Sequence, residues 1–108
     1  MARIQRGPLD VTFHSLVPRA DAPVKGRAVR LSFSGAVIEA DSLPQIGAVV
    51  ELRLPVGQRK DGLGMFAEVK WLSAPGADRP GCFGAFYLLP TAGRMLELMK
   101  LHLDGLEH

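Results

Sequence analysis

The chain has 108 residues, of which 47% are hydrophobic and 22% charged, so it fits one domain with a packed core and not a disordered segment. Thirteen basic residues stand against eleven acidic ones, no apolar run reaches bilayer length, and no hydrophobic signal region follows Met1. Cys82 is the only cysteine, which excludes an internal disulfide and a multi-cysteine metal site; the expectation is a soluble, cytoplasmic protein with no membrane insertion.

Residues 1–10 read as a flexible lead-in punctuated by Gly7-Pro8. Val11–Val17 is the first strand and stops at Pro18. Gly26–Ser32 and Ala36–Ala40 are the second and third, joined by the tight Phe33-Ser34-Gly35 turn. Val49–Val56 alternates, with Val50, Leu52, Leu54 and Val56 on one face and Glu51 and Arg53 on the other, as a half-buried antiparallel strand does. Met65–Leu72 alternates again, with Ala67, Val69 and Trp71 inward and Glu68 and Lys70 outward. Cys82–Leu89 is apolar on both parities, so both its faces are expected to be covered.

After Pro90, Thr91 can cap a helix over 91–105. Met95, Leu98, Met99 and His102 fall on one stripe, with Leu96, Leu103 and Leu106 beside it. The stripe suits burial against a sheet and, in part, contact with a partner. Leu106-Glu107-His108 resembles the start of a vector-encoded histidine tag and is set apart from the domain, residues 1–105. Six strand segments at regular spacing, with glycine and proline turns, make the expected class all-β, a barrel or a sandwich, and a lone terminal helix could plug one end of a barrel.

Enzyme chemistry is not indicated. There is no GxSxG, Walker or GxGxxG loop. His14, expected to point outward, and His102 are in no cluster with Cys, Asp or Glu that would suit a metal, and Cys82 reads as a small core residue. No cofactor is expected. The charge is uneven: residues 1–30 hold six basic residues against two acidic ones. Such a segment suits an anionic partner, although a solvated basic face is its commoner meaning. Nucleic acid is an unfavoured partner, because Phe13, Phe33, Phe66, Trp71, Phe83, Phe86 and Tyr87 mostly read as core and leave few stacking platforms.

The informative stretch is Arg30-Leu31-Ser32-Phe33-Ser34-Gly35-Ala36. Gly35 can take a positive φ and lets a ligand approach the backbone, and Ser32 offers a hydroxyl to a phosphate or base edge. By itself the stretch is also a plain hairpin turn. It nevertheless resembles the Asp/Asn-x-Ser-x-x-Gly motif of the PilZ family of cyclic di-GMP receptor domains. Ser32 and Gly35 stand at its Ser and Gly, and Arg30 stands where the acidic or amide residue belongs.

Upstream, the run from Arg6 to Phe13 resembles the family stretch that opens with the second arginine of an Arg-x-x-x-Arg motif. The first arginine would fall on Ala2, and Arg3 lies one residue out of place. The segment Leu43–Pro55 is similar to the family's Leu…Gly-x-x-Val-x-Leu-x-Leu-Pro, Ala67–Trp71 to its Ala-x-Val-x-Trp, and Phe83–Phe86 to its Tyr-Gly-Val-x-Phe. The likeness covers most of residues 6–100.

The resemblance implies a six-stranded antiparallel PilZ-like barrel with a C-terminal α-helix, in agreement with the strand count, and a signalling role as a cyclic di-GMP receptor or effector. Arg6, Ser32 and Gly35 would form the site at the barrel mouth, assisted by Arg3 and Arg30. Arginine suits such a ligand because its fork matches phosphate oxygens and its plane stacks on a purine. The two departures, each costing ~1–3 kcal/mol, predict binding weakened by on the order of a hundredfold. The family also contains members that do not bind the nucleotide, so the alternative is a nucleotide-independent protein-interaction adaptor in pilus or flagellar motility control. That alternative expects an exposed patch at Met95, Leu98 or Met99.

Overall fold

The computed structural model describes residues 9–32, 34–54 and 63–88. They form six strands: β1 (Leu9–Val17), β2 (Val24–Leu31), β3 (Gly35–Ala40), β4 (Val49–Leu54), β5 (Leu63–Ser73) and β6 (Gly81–Tyr87). Every neighbouring pair is antiparallel, in the order β1-β2-β3-β6-β5-β4, and β1 pairs with β4 to close the barrel. The expected all-β barrel is therefore present. The expected helix over 91–105, the lead-in arginines Arg3 and Arg6, Phe33 and Val56 lie outside the described residues.

Alternation builds the interior. Val50, Leu52 and Leu54 of β4, Met65, Ala67 and Val69 of β5, and Ile38 of β3 are buried, as the period-2 pattern requires. Phe13 of β1 meets Phe83 of β6 edge-on across the core, with ring centroids 4.9 Å apart. No polar or charged residue among the described ones is buried. His14 sits on the outer side of β1, half-buried, where its Nε2 donates to the Ala20 carbonyl at 2.9 Å.

Register shifts break the alternation on β1, between Ser15 and Val17, and at bulges on β2 and β5. On β2, Ala28 pairs with Ile38 and Arg30 with Val37, so Val29 and Arg30 together oppose one residue. On β5, Val69 pairs with Ala85 and Trp71 with Gly84, so Lys70 and Trp71 together oppose one residue. The extra residue turns the following side chain to the other face. Trp71, expected inward beside Ala67 and Val69, is therefore outside and 40% exposed.

Other aromatic positions depart from the expected core as well. Phe66 and Phe86 are exposed, and Tyr87 is only partly buried. Cys82 is half-buried and not a core residue, because its side faces out from β6 beside buried Phe83. The outer face of β6 is thus covered in part only: Trp71 lies on Gly84, while Phe86 remains open.

Candidate functional site

The β2–β3 turn is organised by one hydroxyl. Ser32 Oγ accepts from the backbone N–H of Ser34 and of Gly35, each at 3.2 Å. Its hydroxyl donates to the Gly35 carbonyl at 3.2 Å, and it lies 3.1 Å from Ser34 Oγ, where either hydroxyl can donate. The Ser32 N–H closes the turn on the Gly35 carbonyl at 2.9 Å, and the Tyr87 N–H ties the Ser34 carbonyl to the end of β6 at the same distance. Ser32 is therefore a turn-former first, in the manner of serines that bond their own neighbouring backbone.

Gly35 does not use the positive φ open to a glycine. Among the described glycines that conformation belongs to Gly47, with φ 88°. Gly35 is glycine for space: it pairs with Phe86 at the start of β3, and a Cβ there would collide with the Ala85 carbonyl oxygen. Gly84 is constrained from the other side, because a Cβ would enter the indole of Trp71.

These elements enclose a shallow groove of about 100 Å³ on the outer wall of the barrel. Arg30 lies on its β2 side, Ser32 and Gly35 at its turn end, Val37 and Gly84 along its floor, and Trp71 on its β5 side. Of the five residues expected to form the site, the structure brings Arg30, Ser32 and Gly35 together. Arg3 and Arg6 are not among the described residues. β1 begins at Leu9 opposite Ala28, two positions before Arg30, so the chain enters the barrel at the end that carries the Ser32–Gly35 turn.

Arg27 pairs with Glu39 at 2.7 Å, Arg53 with Glu51 at 3.0 Å and Lys70 with Glu68 at 3.3 Å. Arg30 is exposed and has no carboxylate partner among the described residues, and it is the only charged residue on the groove. Trp71 and Phe86 are the groove residues that sequence reasoning missed, because both read as core. Gly84 held the available signal: a glycine inside an apolar strand marks a close approach by something bulky.

A second, larger groove of about 260 Å³ lies near the other end of β2 and β3, where Asp10, Glu39 and Asp41 face Lys25 and Arg27. No group of three or more metal-ligating side chains occurs among the described residues, and no helix among them is long and apolar enough to cross a membrane.

The chain is similar in structure to the Bacillus subtilis inhibitor of motility MotI/DgrA, with a TM-score of 0.68 and 16% identity over 93% of this chain and 47% of that one. It thus spans about half the length of MotI/DgrA. It is also similar to the PilZ domain of CeSA from a cellulose-synthesizing bacterium, with a TM-score of 0.66 and 17% identity over 96% of this chain and 97% of that one. No family model and no curated protein matches the sequence. The likeness shows the fold: a divergent PilZ-like barrel.

Proposed function

We propose that this PilZ-like domain is a receptor for cyclic di-GMP, with Arg6, Ser32 and Gly35 at the site and Arg3 and Arg30 assisting. The supporting observation is the shared groove of Arg30, Ser32 and Gly35 at the barrel end where the chain enters β1. Three residue steps lead from Arg6 to Leu9, a reach of about 10 Å. An arginine on so short a tether meets a ligand held beside the β2–β3 turn. Contact between the bound ligand and the lead-in would change what the domain docks on. A cytoplasmic site of action and a receptor role, not an enzymatic one, go with this reading.

Titration calorimetry with cyclic di-GMP tests it. A binding isotherm that Arg6→Ala weakens tenfold or more is expected, since a charge-assisted phosphate bond is worth about 1.5–3 kcal/mol. No heat at about 50 µM protein and ligand would reject it.

The second reading is a nucleotide-independent adaptor in pilus or flagellar motility control. The exposed Trp71 and Phe86 favour it, because neighbouring open aromatics suit a protein contact. The patch expected at Met95, Leu98 and Met99 lies outside the described residues. Retention of a partner by wild type but not by Phe86→Ser, unchanged by nucleotide, would establish this reading over the first.

A further inference from the structure

The bulges on β2 and β5 act on one row of residues. Arg30 pairs with Val37, Val37 with Gly84, and Gly84 with Trp71, so the four positions cross β2, β3, β6 and β5 side by side. Counted along the chain, Arg30 has the parity of buried Ala28, and Trp71 that of buried Val69. Simple alternation would turn both into the core. Each is instead preceded by one extra residue, and each comes out on the same groove. The row spans three interstrand gaps, about 14 Å from end to end. The floor between its ends is a valine and a glycine. An arginine and a tryptophan thereby line one outer groove, with the indole lying over Gly84 and Val37 on the floor between it and Arg30.

The groove is built for a flat ring and not for a phosphate. The turn amides that could cradle an anion, those of Ser34 and Gly35, are already bonded to Ser32 Oγ. Arg30 is the one cation on the groove; the Ser32 and Ser34 hydroxyls at its turn end bond to each other, Ser32 also to the Gly35 carbonyl, and the remaining walls are aromatic or aliphatic. At about 100 Å³ the groove takes part of a nucleotide, since whole drug-sized ligands fill ~300–1,000 Å³.

Resting on the nucleotide reading above, we infer that Arg30 and Trp71 clamp a single guanine, with the Arg30 fork donating to its O6 and N7 and the indole covering its face. A guanidinium offers only donors, so it cannot serve the N–H edge that a carboxylate or amide would accept from. It matches the edge that presents two acceptors, and among the bases guanine alone presents both there, whereas adenine pairs one acceptor with an N–H₂ donor. The arginine at this position therefore reverses which edge of the base is read.

Trp71 is the only tryptophan, so its fluorescence reports on this groove alone. The test titrates wild type and Arg30→Lys with cyclic di-GMP, cyclic di-AMP, GMP and inorganic phosphate, following fluorescence and heat. Arg30 is exposed and makes no described bond, so the lysine variant, which keeps the charge and loses the fork, is expected to fold normally. In wild type both guanine ligands quench Trp71, and cyclic di-GMP binds about tenfold or more tighter than cyclic di-AMP. Inorganic phosphate leaves the fluorescence unchanged, and Arg30→Lys removes the guanine preference while retaining the weaker, charge-driven binding. Cyclic di-GMP binding with Trp71 silent, or with the same preference in Arg30→Lys, overturns the clamp and leaves the receptor reading standing. Silence toward every nucleotide overturns both.

Discussion

At Gly35 and Gly84 the obstacle to a side chain is a neighbour, in one case a backbone carbonyl and in the other an indole ring. The two substitutions therefore differ in outcome. Gly35→Ala must push β3 away from β6 and is expected to cost about 1–3 kcal/mol in chemical denaturation. Gly84→Ala displaces Trp71, so it should shift the tryptophan emission as well as lower stability. Tyr87 presents another local tension. Its Oη is buried with no hydrogen-bond partner among the described residues, and burial pushes the phenol well above its ordinary pKa of 10. The folded state thus prefers the protonated phenol. Its contribution is fully present below pH 10, where the unfolded chain also keeps the proton, and is lost as pH rises from there toward the folded value. Tyr87→Phe should be neutral or up to about 1 kcal/mol more stable at neutral pH, because it removes an unsatisfied hydroxyl. It should also flatten the alkaline loss of stability that denaturant melts above pH 10 would record in wild type.

On β2, Arg27 and Arg30 face outward three positions apart and do different work. Arg27 is bonded across the strand pair to Glu39, and both side chains are partly exposed. Arg27→Ala is expected to cost less than about 1 kcal/mol in a double-mutant cycle with Glu39→Ala. Arg30→Ala, which breaks no described bond, should leave the melting curve within about 0.5 kcal/mol of wild type while weakening nucleotide binding. The elements themselves were legible because alternation is local: Val50, Leu52 and Leu54 announce their strand and their inner face without help from any other segment. Trp71 was misplaced because a bulge is a property of a pair of strands, and no residue on β5 declares that Lys70 is extra. Closure of β1 on β4 is equally a long-range fact, carried by matches such as Phe13 with Leu52 that no periodicity displays. Within the site, Ser32 and Gly35 were found through the turn and its family likeness, but the reasons for them were not. Ser32 is tied up in the turn, and Gly35 answers to the Ala85 carbonyl.

Because each strand has two neighbours, the barrel shares every loss of packing around its whole circumference. Phe83, fully buried and packed on Phe13 across the interior, is where that sharing is felt most: Phe83→Ala should cost about 3–5 kcal/mol. Against a total of about 5–15 kcal/mol, such a loss leaves the fold marginal. The groove, by contrast, lies on the outer wall, so a ligand can bind the closed barrel without opening it. Binding to the folded state alone then adds to stability by mass action, about 2.7 kcal/mol at a hundredfold excess over Kd. For a domain of this size 1 kcal/mol moves Tm by roughly 4–8 °C, so saturating cyclic di-GMP should raise Tm by about 10–20 °C. The same concentration should raise it much less in Arg6→Ala, and in Phe83→Ala it should restore much of the lost Tm, because the weakened core and the intact groove contribute separately. A ligand-induced shift in wild type that vanished in Phe83→Ala, under conditions where that variant is still folded, would mean that the groove depends on core packing.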